Sequence, residues 1–115
     1  MLDPRQRDIW WADLGQAEGS EAAFHRPVVI LQSDAINLGR LQTYLCAPMT
    51  ANLATRVVPW NMLVTKTESG LDRDSVVQTH LLLALNRSQL NENVGRITDR
   101  QLEQLFRCLD IALGR

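Results

Sequence analysis

Glu21, His25 and Arg26 bring a carboxylate, an imidazole and a guanidinium into one short stretch, behind Gly19-Ser20 and immediately ahead of Pro27. A guanidinium stays protonated, and its planar fork matches two phosphate oxygens at once, so Arg26 suits a clamp on a phosphoryl group that gathers charge in a transition state. An imidazole titrates near neutral pH and responds to an adjacent acid, so His25 with Glu21 is a candidate for moving a proton. Together these are the parts of a phosphate-chemistry site. Phe24, between them and the preceding loop, can stack on a nucleobase or pack over the site and shield it. Read one at a time, the same residues have plainer explanations. Arg26 alone is a surface cation paired with Glu21 or Asp34, and Glu21 alone orders its loop. Trp10 and Trp11 lie in a strand and read first as core, and His80, beside Leu81-Leu82-Leu83, reads as a half-buried histidine.

The elements that must position these residues follow from pattern. Asp8-Ile9-Trp10-Trp11-Ala12-Asp13-Leu14 suits a strand buried mainly on one face. Gly15 to Ser20 has turn chemistry and opens a long loop that closes at Arg26, where the second strand starts and runs to about Gln32. Ser33 to Gly39 holds one helical turn at most. Thr43 to Met49 is a third strand, with Pro48 marking its edge or end. Strands follow around Trp60 to Val64 and Ser75 to Thr79, joined by a hairpin-like Glu68-Ser69-Gly70-Leu71-Asp72 whose glycine supplies a positive φ. His80 to Leu85 extends the apolar character, and Val94-Gly95-Arg96-Ile97 is a last short strand. From Leu102 the period changes: Leu102, Leu105, Phe106, Leu109, Ala112 and Leu113 share one helical face, Thr98-Asp99-Arg100-Gln101 fits a capping box, and Gly114 is a natural stop. The expected class is mainly β with a C-terminal α-helix, in a small barrel.

Composition sets bounds on this reading. The 115 residues are of single-domain length, and 45% hydrophobic content supports one core without a second domain. The start of the chain lacks a signal-peptide apolar region, and no stretch approaches the ~18 apolar residues of a membrane span. A soluble, cytoplasmic protein is the expectation. Cys46 and Cys108 make neither a disulfide framework nor a zinc pattern, and both are expected to be reduced and buried. The net charge of -1 argues against a duplex-binding module, whose affinity would rest on an excess of cations.

Four blocks then carry a resemblance. Arg7-Asp8-Ile9-Trp10-Trp11-Ala12-Asp13, Gly19-Ser20-Glu21 with Arg26-Pro27, a strand ending Pro48-Met49-Thr50, and Asp74-Ser75-Val76 stand in the order and spacing of the MazF/PemK family of toxin endoribonucleases. The chain resembles that family over nearly its whole length. The resemblance implies an SH3-like barrel with a terminal helix, and single-stranded RNA cut without metal or cofactor through its own 2′-hydroxyl at the sites matching Arg26 and Thr50. It implies a homodimer with RNA in a groove between subunits, and an antitoxin whose acidic, disordered tail occupies that groove. The candidate catalytic set is Arg26, Thr50, Glu21 and His25; Ser20, Phe24, Asn52 and Gln78 complete it as substrate-binding residues. Ala22-Ala23-Phe24 departs from the glycines many members carry there and stiffens the loop. Two rivals use the same fold: a non-enzymatic toxin of the CcdB kind that grips a protein target, and an SH3-like interaction domain whose tryptophans bind ligand. Fold alone cannot separate them.

Overall fold

The computed structural model describes residues 3–16 and 23–115. Strand β1 (Asp8–Gln16) pairs antiparallel with β2 (Ala23–Ile30), Ile9 facing Val29 and Asp13 facing His25. The ladder continues past a bulge between Asp13 and Gly15, where Gly15 takes φ +88° and its N–H donates to Asp13 Oδ1 at 2.9 Å. This corrects the expected loop boundary: the second strand starts at Ala23, and Arg26 lies within it opposite Ala12. Ser20 and Glu21 lie outside the described residues, and Phe24 is placed in β2 opposite Gly15.

Strand β3 (Thr43–Thr50) has three partners. It pairs β2 through Val28–Pro48, Val29–Ala47 and Ile30–Cys46, and its last two residues pass to β5 (Ser75–Gln78) through Met49–Val77 and Thr50–Val76. Its first half takes β6 (Leu83–Asn86). Pro48 therefore sits inside the strand, at the point where β3 exchanges one neighbour for another and a missing N–H is easily tolerated. β4 (Asn61–Val64) flanks β5, and β7 (Leu90–Arg96) flanks β1. The path is β4-β5-β3-β2-β1-β7, all antiparallel.

Both faces of the central strands are buried, which is why Val28-Val29-Ile30-Leu31 is continuously apolar. On one face Ile9, Val29, Ala47, Met49 and Val77 meet Leu102, Leu105 and Cys108 of α3 (Asp99–Leu113). On the other, Trp10, Val28, Ile30, Tyr44 and Cys46 meet Leu85 and Leu90. Helix α3 opens on the expected box: the Gln101 N–H donates to Thr98 Oγ1 at 3.1 Å, and the Gln101 side chain accepts from the Thr98 N–H at 2.8 Å. It ends at Gly114, φ +76°. A one-turn α1 (Asp34–Asn37) stands where one turn was expected.

The expected hairpin at Glu68–Asp72 is instead a helical turn, α2 (Lys66–Ser69), capped at its start by Thr65 and Glu68 and at its end by Gly70, φ +81°. The reason is a Thr-x-x-Glu box directly after a strand. This turn crosses from β4 to β7, the two strands that leave the sheet unclosed. Gly70 and Gly95 meet backbone to backbone there, with no room for a Cβ on either: one at Gly70 would overlap the Val94 carbonyl, and one at Gly95 the Ser69 carbonyl. The mainly-β class with a terminal helix stands, and the barrel is completed by this contact rather than by a ladder. Among the described residues no helix is long and apolar enough to cross a membrane.

Candidate active site

The β2–β3 register places the site. Continued two residues beyond Val28–Pro48, it brings Arg26 level with Thr50, just where β3 has turned to β5 and the two strands part. The opening is a hollow of ≈ 390 Å³ whose walls include Trp11, His25, Arg26, Thr50, Asp72 and Arg73. Arg26 also borders a second, apolar hollow of ≈ 220 Å³ with Leu14, Pro48, Leu81 and Leu83.

Thr50 is held by a local turn. Its Oγ1 accepts the Asn52 N–H at 3.2 Å, which occupies a lone pair and leaves the hydroxyl proton to donate into the hollow. The Asn52 side chain caps the following 3-10 turn (Leu53–Val57) by accepting the Ala54 N–H at 3.2 Å. Asn52 thus orients Thr50 through its backbone and does not itself line the hollow.

His25 is a strand residue with an ordered ring. It stacks on Trp11 with centroids 5.1 Å apart and planes 17° from parallel, and its Nε2 lies 3.1 Å from Asn91 Oδ1. Strand alternation puts His25 on the Pro27–Val29 side of β2 and Arg26 on the Val28–Ile30 side, so the two approach the opening from opposite faces. Gln78 lies elsewhere, opposite Asn61 across β4 and β5, its Oε1 buried with no hydrogen-bond partner among the described residues.

The tryptophans divide. Trp10 is core, its Nε1 donating to Asp8 Oδ2 at 3.2 Å with the Arg87 guanidinium 4.9 Å from its ring centre. Trp11 is half-buried and walls the hollow. His80 is exposed and packs edge-on against Trp60. Arg73 and Asp72 are cleft residues that sequence reasoning gave no role, although the Asp-Ser-Val block that follows them was recognised. Among the described residues no group of three or more His, Cys, Asp or Glu is arranged to hold a metal ion.

Comparison with known proteins agrees with this architecture. A family model described as PemK-like, MazF-like toxin of type II toxin-antitoxin system matches residues 5–113. Endoribonuclease MazF6 of Mycobacterium tuberculosis is 38% identical over 102 residues, covering 89% of this chain and 90% of that protein. Endoribonuclease MazF of Staphylococcus saprophyticus is 31% identical over 110 residues, covering 96% and 91%. Among solved structures, a MazE-MazF crystal structure from Deinococcus radiodurans (Form-II) is similar with TM-score 0.80 at 21% identity, covering 99% of this chain and 98% of that one. An endoribonuclease in complex with its cognate antitoxin from a mycobacterial species is similar with TM-score 0.77 at 20% identity, covering 96% and 95%.

Proposed function

The chain belongs to the PemK-like, MazF-like toxins of type II toxin–antitoxin systems, and from that membership we propose that its cleft cuts single-stranded RNA at a short sequence, using the substrate's own 2′-hydroxyl and no metal. Endoribonuclease is the activity by which its relatives at 38% and 31% identity are named. In the proposed reaction the 2′-oxygen attacks phosphorus, the bond to the 5′-oxygen breaks, and the products carry a 2′,3′-cyclic phosphate and a 5′-hydroxyl. One group must take the 2′-proton, another must protonate the leaving oxygen, and donors must meet the charge on the equatorial oxygens.

Arg26 is the clamp for that charge, and Thr50 adds a hydroxyl donor from the facing strand. His25 handles a proton, with Glu21 as the acid that tunes it. Trp11, which walls the hollow, is a substrate contact, and Ser20 and Phe24 are proposed as substrate-binding residues from the family resemblance. The observation that carries the reading is that Arg26 and Thr50 line one hollow, with the Thr50 hydroxyl oxygen accepting the Asn52 N–H.

The relatives solved with their antitoxins support a matching partner for this chain: a cognate antitoxin whose acidic segment, disordered when free, imitates the RNA backbone in the cleft of a toxin homodimer. The test is incubation of the pure protein with single-stranded RNA in EDTA, followed by mapping of the ends. Cuts at a short motif leaving 2′,3′-cyclic phosphate and 5′-hydroxyl ends are expected, and loss of cutting in Arg26→Ala. Cleavage that appears only with added metal, or that leaves 5′-phosphates, overturns the mechanism.

A further inference from the structure

Three hollows run together along one side of the molecule. The candidate active site shares Ala51, Asp72 and Arg73 with a small niche of ≈ 70 Å³ beside Trp11 and Pro27, and with a third hollow of ≈ 300 Å³ that continues to Leu53, Lys66 and Asp74. The groove therefore leads from Arg26 and Thr50, past Arg73, to the start of α2.

The charges along it are arranged unequally. Away from the groove, Arg7, Arg96 and Arg115 are engaged by Asp99, Asp8 and Asp110. The exposed guanidinium of Arg73 makes no hydrogen bond or ion pair among the described residues, and neither does the ammonium of Lys66. Two of the nearby acids keep their charge while accepting hydrogen bonds from neutral groups. Asp74 Oδ1 accepts the Lys66 backbone N–H at 2.8 Å, and Glu68 is held by the Thr65 N–H and hydroxyl at 2.9 Å each. Asp72, on the same wall, makes no hydrogen bond or ion pair among the described residues. The segment carrying Arg73 is also fixed from both sides: Leu71 is buried in the core, and the Ser75 hydroxyl donates to the Arg73 carbonyl at 3.3 Å. A guanidinium left unpaired on a pinned segment, one step along a groove from a phosphate clamp, has the properties of a second clamp.

We propose that Arg73 is a substrate-binding residue that holds a phosphate flanking the scissile one, so that the RNA strand leaves the Arg26–Thr50 site along the groove towards Lys66. This rests on the reading of the cleft as the RNA-cutting site. Arg73 acts on binding and strand direction, while the chemistry stays with the Arg26 site.

The test uses a single-stranded oligonucleotide spanning a mapped cut site, with 2′-deoxyribose at the scissile nucleotide so that it binds without being cut. Its affinity is measured from about 50 to 200 mM salt, a range over which phosphate contacts show clearly. Loss of one contact to a single strand should lower the slope of log K against log salt by about 0.7 in Arg73→Ala, with binding roughly ten-fold weaker at low salt. Arg73→Lys should restore the slope. With cleavable RNA, Arg73→Ala should raise KM about ten-fold and leave kcat within about two-fold of wild type. Strands trimmed at the cut site on one side should bind wild type and variant alike when the trimmed side is the one Arg73 holds. An unchanged slope and KM in Arg73→Ala, alongside loss of cutting in Arg26→Ala, overturns this proposal alone. Retained cutting in Arg26→Ala, or no cutting of any RNA by the wild type, overturns the cleft reading and this proposal with it.

Discussion

Gly95→Ala tests how the barrel is completed. A Cβ at residue 95 overlaps the Ser69 carbonyl oxygen and stands 3.0 Å from its carbonyl carbon. Both are backbone atoms, so no rotamer change relieves the contact, and α2 and β7 must move apart. Overpacking of this kind costs about 1–3 kcal/mol. Unfolding entropy near 60 °C is about 2.1 cal/mol/K per residue, so for 115 residues each kcal/mol lowers the melting temperature by about 4 °C. The variant should therefore melt roughly 4–12 °C below wild type in a calorimetric or circular-dichroism scan. Asn93→Ala, an exposed substitution on the same strand, should shift the stability by less than about 0.5 kcal/mol. Displacement of α2 also carries Leu71 to Arg73 with it, so RNA affinity should fall in Gly95→Ala even where it remains folded. A melting temperature within about 1 °C of wild type would refute the reasoning, because the clash would then be relieved at no cost.

Other outcomes follow from single features. His25→Phe keeps an aromatic ring to stack on Trp11 but cannot carry a proton, so kcat should fall about 10²-fold, and recovery of full turnover by Phe would reduce His25 to a stacking role. Burial pushes the Cys46 thiol from 9.0 to about 12, so it should resist alkylation at pH 8 in the folded protein. Because that pKa is raised on folding, its contribution to stability is complete below about 9 and is lost as pH rises towards 12; urea unfolding should show an alkaline decline that shrinks in Cys46→Ala. Thr98→Ala removes the acceptor for the Gln101 N–H and should destabilise the protein by about 1 kcal/mol, read as a lower urea midpoint at unchanged slope.

Local signals in the sequence were read well where the physics is local. The period of Leu102 and Leu105, the Thr98–Gln101 box and Gly114 define α3 without reference to the rest of the chain. Gly70 was rightly given a positive φ, yet its setting was misread, because Thr65 and Glu68 also form a box and their spacing was overlooked. The boundaries of β2 and the place of Pro48 depend on partners far along the chain. Nothing near Arg26 shows that Ala12 will face it in a ladder, and nothing near Pro48 shows β3 changing neighbours. The same holds for the site. Arg26, His25 and Thr50 were singled out, and the structure places all three around one opening, while Gln78 stands apart and Asn52 contributes through its N–H. Arg73 had no pattern to betray it, since an exposed cation becomes a groove residue only when α2 and β5 are folded against β3.

The central claim is that one phosphate bridges Arg26 and Thr50, and a structure of the protein with the uncleavable oligonucleotide tests it most directly. The scissile phosphate should lie about 2.7–3.2 Å from both the Arg26 guanidinium and the Thr50 hydroxyl, the range of a hydrogen bond. A strand bound elsewhere, or one whose scissile phosphate touches neither group, would contradict it.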